Sequence, residues 1–174
     1  ADTAESGLQN VSTVASALVG QQIRIFAAGD EPGISQFSLS IDHLGPQNLG
    51  TDGDDDLMGT AHEDLLVGLA GTDVLNGGAG NDRLVDGDGL DFMIGGSGAD
   101  VFVFASDARL DIVLDFEANY DVLDLSGIIG LNNFSQIEFR DLDVGTLILV
   151  GGETIWIPVE GLSSNVFDSD DFVF

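Results

Sequence analysis

The sequence predicts an all-β chain built around a parallel β-roll, with an antiparallel β cap after it and a short β segment before it. Three observations predict this. A nine-residue unit repeats six times in phase between Gly50 and Val103. Each unit carries Asp at its sixth position and a large apolar residue at its eighth. Beyond the repeats, strand-sized apolar runs are separated by glycine turns.

The six units read GTDGDDDLM, GTAHEDLLV, GLAGTDVLN, GGAGNDRLV, DGDGLDFMI and GGSGADVFV. Position 6 is Asp55, Asp64, Asp73, Asp82, Asp91 and Asp100, and position 8 is Leu57, Leu66, Leu75, Leu84, Met93 and Phe102. Position 4 is Gly in five units, with His62 as the exception. Turn propensity alone favours Asp. It does not place one acid at one phase six times, and repetition at a fixed period signals a solenoid.

Each unit divides into a turn and a short strand. Glycines at positions 1, 2 and 4 permit the backbone a tight turn needs. Positions 7 to 9 run extended, so the position 8 side chain points inward and its neighbours outward. Two units complete one coil. Leu57, Leu75 and Met93 should then form one inner ladder, and Leu66, Leu84 and Phe102 the facing one.

This pattern resembles the RTX (repeats-in-toxin) nonapeptide, a calcium-binding β-helix repeat. The resemblance implies that turn carbonyls and the Asp of one repeat join those of the repeat two further on around one Ca2+. Such a mixed set suits an ion that takes about 6–8 oxygen ligands. The residues it assigns are Gly50, Thr51, Asp52, Gly53 and Asp55 in the first repeat, and Gly59 and Asp64 in the second. The third contributes Gly68, Leu69, Ala70, Gly71 and Asp73, and the fourth Gly77, Gly78, Ala79, Gly80 and Asp82. The fifth contributes Asp86, Gly87, Asp88, Gly89 and Asp91, and the sixth Gly95, Gly96, Ser97, Gly98 and Asp100. Four Asp pairs result, Asp55–Asp73, Asp64–Asp82, Asp73–Asp91 and Asp82–Asp100, and hence about four calcium ions.

The charge explains why metal is needed. Stacked coils lie about 4.8 Å apart. Two carboxylates at that spacing repel by roughly 3 kcal/mol at an effective dielectric of 20. Four pairs then cost on the order of 10 kcal/mol, against a typical total stability of about 5–15 kcal/mol. Metal binding and folding are expected to be one coupled event.

The repeats are unequal. GGAGNDRLV and GGSGADVFV match the family pattern fully, whereas GTAHEDLLV departs from it at positions 2 and 4. His62 is expected to sit where positive φ is needed, which weakens the Asp64–Asp82 site. Asp86 replaces Gly at position 1 of the fifth repeat, while Asp52, Asp54, Asp56 and Asp88 hold variable positions. These acids read either as further ligands or as solvated charge.

After Val103 the nine-residue phase is lost. The stretches 99–104, 111–116 and 121–126 look like the segment that closes the roll in RTX proteases and alginate-epimerase modules. In those families some of its acids complete the last calcium sites. Asp111 and Asp115 are the best matches here, and they also read as ordinary surface acids. Strands are expected near 137–139, 146–150 and 154–159, with turns at Gly145 and Gly151-Gly152. They would cap the open end of the solenoid. The ending Asp170-Asp171-Phe172-Val173-Phe174 resembles the uncleaved terminal motif of RTX proteins exported by type I secretion.

Residues 1–49 carry no repeat. Ile23–Gly29 and Ile34–Ile41 read as strands joined by a hairpin turn at Asp30-Glu31-Pro32-Gly33. Val11–Val19 reads as a third strand or a short helix. The order resembles one blade of a β-propeller, as in larger secreted proteins where a propeller precedes RTX repeats. The division expected is therefore 1–49, an N-terminal β segment or cap of the roll, or the remnant of a preceding domain; 50–103, the roll; and 104–174, the cap with a secretion signal. The start at Ala1, without an initiator Met, suggests a fragment.

Composition excludes other functions. With 31 acidic residues against 4 Arg, the net charge of −27 disfavours nucleic acid and anionic membranes as partners. At 44 % hydrophobic residues the chain can still bury a core. It has no cysteine, which removes disulfides and thiolate metal sites. No run approaches the roughly 18 apolar residues of a membrane span. His62-Glu63-Asp64-Leu65-Leu66 begins like the zinc-protease HExxH but lacks the second His, and His43 is the only other histidine. There is no GxSxG elbow and no phosphate-binding loop. The sequence thus reads as a non-catalytic, calcium-binding secreted module whose partners are calcium, a type I exporter and an N-terminal partner domain. An extracellular adhesive module and the C-terminal piece of a secreted enzyme are the alternatives.

Overall fold

The computed structural model describes residues 47–174 throughout and, before them, three strands, β1 (Val11–Val19), β2 (Gln22–Gly29) and β3 (Ile34–Ser40). These three form an antiparallel sheet in the order β1-β2-β3. Val11–Val19 is therefore a strand, consistent with its alternating and β-branched residues. The Asp30–Gly33 turn and His43 lie outside the described residues. Cα packing separates residues 1–43 as one unit from residues 44–174 as another.

The second unit is a parallel β-roll of two facing sheets. One sheet stacks β4 (Gln47–Leu49), β6 (Leu65–Gly71), β8 (Arg83–Gly89), β10 (Val101–Val103), β12 (Val122–Asp124) and β16 (Phe172–Val173). The other stacks β5 (Asp56–Met58), β7 (Val74–Ala79), β9 (Phe92–Ser97) and β11 (Leu110–Val113), then β15 (Glu153–Ile157), β14 (Thr146–Val150) and β13 (Glu138–Asp141). The chain alternates between sheets, so each coil consumes two repeats. The roll begins with β4, ahead of the first full repeat, and its parallel stacking runs past Val103 through β11 and β12.

The register reproduces the expected ladders. Leu57 pairs with Leu75, Leu75 with Met93, and Met93 with Val113. Facing them, Asn48, Leu66, Leu84, Phe102, Leu123 and Phe172 follow one another across the other sheet. From Leu66 to Leu123 these side chains are fully buried. At the first coil Asn48 takes a ladder position and donates Nδ2–H to the Met58 carbonyl at 2.7 Å, tying the two sheets together where the ladder starts.

The cap is antiparallel. β13, β14 and β15 form a meander whose last strand lies parallel to β11. Gly145 and Gly151 turn the chain at positive φ. Ile148, Ile155 and Ile157 continue the buried core. Phe116, Phe134, Phe139, Phe167 and Phe172 pack as a chain of rings with centroids 5.5–6.1 Å apart, within the range of favourable aromatic pairs. The terminal motif is part of this cluster: Phe172 is buried in it, and buried Asp171 accepts the N–H of Asn119 at 3.0 Å and of Asp168 at 2.8 Å.

Candidate metal centre

The turns stack into two edges, each carrying a row of aspartates. One row is Asp55, Asp73, Asp91 and Asp111, and the other is Asp64, Asp82, Asp100 and Asp121. In every rung the main-chain N–H of one Asp donates to Oδ1 of the Asp one coil later. The distances are 2.8 Å for Asp55–Asp73, Asp64–Asp82, Asp73–Asp91 and Asp82–Asp100. They are 3.1 Å for Asp91–Asp111 and 3.0 Å for Asp100–Asp121. Repeats two apart are thus brought together, as the sequence led one to expect. The rows also extend by one Asp each beyond the repeats.

The second oxygen of these carboxylates is the informative one. Oδ2 of Asp73, Asp82, Asp91 and Asp100 is buried without any hydrogen-bond partner, and so is Oδ1 of Asp64. A buried charged oxygen left without a partner is costly, so natural folds rarely keep one unless something else satisfies it. These oxygens share a cradle. A Cβ placed at Gly68 or Gly77 would lie 2.4 Å from Oδ2 of Asp73 or Asp82, and 2.4 or 2.7 Å from the carbonyl of Asp86 or Gly95 in the next coil. At Gly50 and Gly59 the same point lies 2.4 and 2.1 Å from the carbonyls of Gly68 and Gly77. Position 1 is glycine in five of the six repeats because a side chain there would enter a space lined by a carboxylate and carbonyls.

Such donors fit calcium, which mixes carboxylate and carbonyl oxygens freely. Among the described residues no three acidic or histidine side chains converge as a metal group. The carbonyls therefore matter as much as the carboxylates. Calcium would supply the positive charge that lets two stacked carboxylates coexist. The protein supplies their spacing through the N–H to Oδ1 rung, and it excludes water from Oδ2.

Burial acts on the same groups. Desolvation is the largest influence, and neighbouring aspartates add to it. Together they push the carboxyls of Asp82, Asp91 and Asp121 up to about 6 and that of Asp111 to about 7. Asp73 and Asp100 are raised as well. Metal-free, these acids resist ionisation.

The turns differ in backbone. In the third to sixth repeats, positions 2 and 4 take positive φ: Leu69 and Gly71, Gly78 and Gly80, Gly87 and Gly89, Gly96 and Gly98. At Gly89 and Gly98 a Cβ would also sit 1.7 Å from the carbonyl of Gly71 or Gly80, so only glycine fits. The first two turns are built otherwise. Thr51 and Thr60 donate both N–H and Oγ1–H to Oδ2 of Asp55 and Asp64, the hydroxyls at 2.9 Å. This corrects the expectation for His62, which does not adopt positive φ because the Thr60-stabilised turn does not require it. Within the repeats, the non-glycine residue at positive φ is Leu69, at position 2 of its unit, with φ 81°. The Asp64–Asp82 rung is as short as its neighbours.

The remaining assigned residues divide between the turns and the exposed surface. Ala79 donates to the Thr60 carbonyl at 3.1 Å, Ala70 to the Thr51 carbonyl at 3.4 Å, and the Ser97 carbonyl accepts from Gly80 at 2.9 Å. Asp115 accepts the N–H groups of Gly95 and Gly96 at 2.9 and 2.8 Å, which anchors the sixth turn. Asp52, Asp56, Asp88 and Gly53 are exposed. Asp54, also exposed, accepts the N–H of Thr72 one coil on.

Sequence reasoning missed Asp121. Its signal was legible: Asp121-Val122-Leu123 keeps the Asp-x-apolar order of positions 6 to 8, as Asp111-Ile112-Val113 does. Searching at strict nine-residue phase hid it, because the turn before Asp121 is longer, 21 residues separating it from Asp100 rather than 18.

Comparison with known proteins identifies the repeat. The RTX calcium-binding nonapeptide repeat, four copies long, matches residues 49–84 and 77–108. No curated protein matches the chain. Among solved structures, the AlgE6R3 subunit of the Azotobacter vinelandii mannuronan C5-epimerase is 31 % identical, with a TM-score of 0.54 over 72 % of this chain and 80 % of that one. The AlgE6R2 subunit of the same enzyme is 26 % identical, with a TM-score of 0.60 over 74 % of this chain and 92 % of that one. The extracellular lipase LipA of Serratia marcescens shares the fold at 20 % identity, with a TM-score of 0.59 over 92 % of this chain but only 30 % of the lipase. With its repeats matched, its aspartate rows formed and most of an epimerase subunit covered, the chain belongs to the RTX family and is a calcium-binding repeat module.

Proposed function

We propose that this chain is a calcium-responsive folding module of a secreted protein, unfolded where calcium is scarce and folded outside the cell. The observation that carries the reading is the set of partnerless, buried carboxylate oxygens along both edges. At neutral pH and above the fold buries carboxylates whose charge a bound cation would balance. About four ions would lie between the repeats, and the rungs to Asp111 and Asp121 would add a position at the end of each row.

In this reading the unfolded chain is threaded through a type I exporter and carries an N-terminal partner domain with it. The terminal motif supports this order of events, because Asp171 and Phe172 are buried once the cap has formed. The exporter would then read the unfolded chain. The module itself performs no catalysis.

A second reading, an adhesive or docking module, draws on one specific observation. Val74, Phe92, Ile112, Trp156 and Leu147 form a continuous apolar row across five strands, with Val74 exposed, Phe92, Trp156 and Leu147 half-buried and Ile112 buried. An apolar row that keeps part of its surface in water can serve as an interaction site.

A calcium titration followed by circular dichroism and calorimetry tests the leading reading. Coil-like spectra in chelator and cooperative gain of β structure with bound calcium are expected. Full β structure in excess chelator at pH 8, where the buried carboxyls are pressed to ionise, would overturn it. Export of a chain truncated at Asp168 tests the secretion role, and unimpaired export would count against that role alone.

A further inference from the structure

The calcium positions are chemically unequal, and one residue makes the difference. Position 1 is Gly in five of the six repeats and Asp86 in the fifth. At Gly50, Gly59, Gly68, Gly77 and Gly95, a Cβ would point at Oδ2 of the Asp in the same repeat, 2.4–2.9 Å away. The fifth repeat carries a whole carboxylate on that vector. Asp86 is 1 % exposed. Its Oδ1 accepts the N–H of Gly87 at 2.5 Å and of Ala105 at 2.9 Å, which fixes the group between two coils. Its Oδ2 has no partner. Asp91, in the same turn, is fully buried and also holds a partnerless Oδ2.

We infer that Asp86 and Asp91 form a calcium site, between the fifth turn and the turn at 104–111, to which a single turn supplies two carboxylates, distinct from the cradles elsewhere in the roll, where each turn supplies one. The inference rests on the calcium reading above and adds a ligand to it. Two observations carry it together. The position 1 vector enters the cradle at every glycine, and Asp86 carries a buried carboxylate at that same position. The hydrogen bonds from Gly87 and Ala105 satisfy only one of its oxygens, leaving the other free for a cation. Carboxylate count and rigidity set calcium affinity over several orders of magnitude. This site should therefore fill first.

The alternative geometry is that Asp86 occupies the place of the ion and abolishes the site. The two predict opposite signs. The test is calorimetric calcium titration of the full chain and of the variants Asp86→Gly and Asp86→Asn. Calcium-saturated circular dichroism serves as the check on folding. Asp86→Gly restores the residue found at the five other turns. Asp86→Asn keeps an acceptor for Gly87 and Ala105 and removes only the charge. The wild-type chain is expected to show one site at least about tenfold tighter than the rest. In both variants that tight class should merge with the others while the number of bound ions stays the same. Unchanged isotherms, or variants that bind calcium more tightly, would overturn the inference and leave the calcium reading intact. A wild-type chain that binds no calcium would overturn the parent reading and this one with it.

Discussion

The main-chain N–H of Asp100 donates to Oδ1 of Asp121 at 3.0 Å, repeating across a longer turn the rung that Asp82 makes to Asp100 at 2.8 Å. The rung survives although the nine-residue phase does not. Asp121→Asn keeps an acceptor for that N–H and removes the charge. It should lower the calcium stoichiometry by one, or weaken one site by about tenfold. Asp143→Asn, at an exposed acid away from both rows, should change neither. Calorimetry on the two variants decides the point, and identical isotherms would remove Asp121 from the site.

Acid should fold the metal-free chain rather than unfold it. The buried carboxyls are raised in the fold above the unfolded value of about 3.9, so the folded state binds protons more tightly. Their stabilising contribution is full below about pH 4. It is lost as pH rises through about 6 for Asp82, Asp91 and Asp121, and about 7 for Asp111. Asp86, raised to about 8 by burial and by its Asp111 and Asp91 neighbours, is the last to ionise. Circular dichroism in chelator should show β structure increasing from pH 8 to pH 4.5. Calcium affinity should fall over the same range, because protons compete for the same oxygens.

Phe172 joins the chain terminus to the core, pairing with Leu123 across β12 and β16 and packing on Phe134, Phe139 and Phe167. Phe172→Ala should cost about 3–5 kcal/mol in calcium-saturated buffer, as for other buried Phe truncations. Val173→Ala, at a position 44 % exposed, should cost much less. Urea denaturation of both measures the difference, and equal costs would mean the terminal strand does not close the cap.

Leu69 is held at φ 81° where the equivalent residues of later repeats are glycine. A non-glycine residue in that region carries about 1–3 kcal/mol of strain. Its side chain is 38 % exposed and recovers little of this by burial. Leu69→Gly should raise stability by about 1 kcal/mol after the entropy cost of glycine. A lower melting temperature for the variant would refute this.

The repeats were legible because two requirements coincide on the same residues. An inward ladder needs a large apolar side chain at one phase, and a bridging row needs an acid at another, so Leu57 to Phe102 and Asp55 to Asp100 stand out together. The antiparallel cap was legible from strand lengths and from Gly145 and Gly151-Gly152. What stayed hidden depends on spacing and backbone rather than residue type. Asp121 lies behind a turn of irregular length. His62 looked strained because its turn was assumed to match the others, whereas Thr60 satisfies Asp64 from within the turn and leaves the backbone in an ordinary conformation. The extension of parallel stacking through β12 to β16 joins residues about fifty positions apart, which no local period announces.

The alternation of strands between two sheets also sets how the molecule would respond to load. Each coil touches only the coils above and below it, and each holds 18 residues between equivalent points of the ladder. A chain drawn out from its ends would lose one coil at a time. Each loss would release a tether of about 60 Å at 3.3–3.6 Å per residue. Under tension in calcium the roll is thus a ratchet of near-equal steps. With calcium bridging neighbouring coils as proposed, the force of every step would be set by the calcium concentration around it.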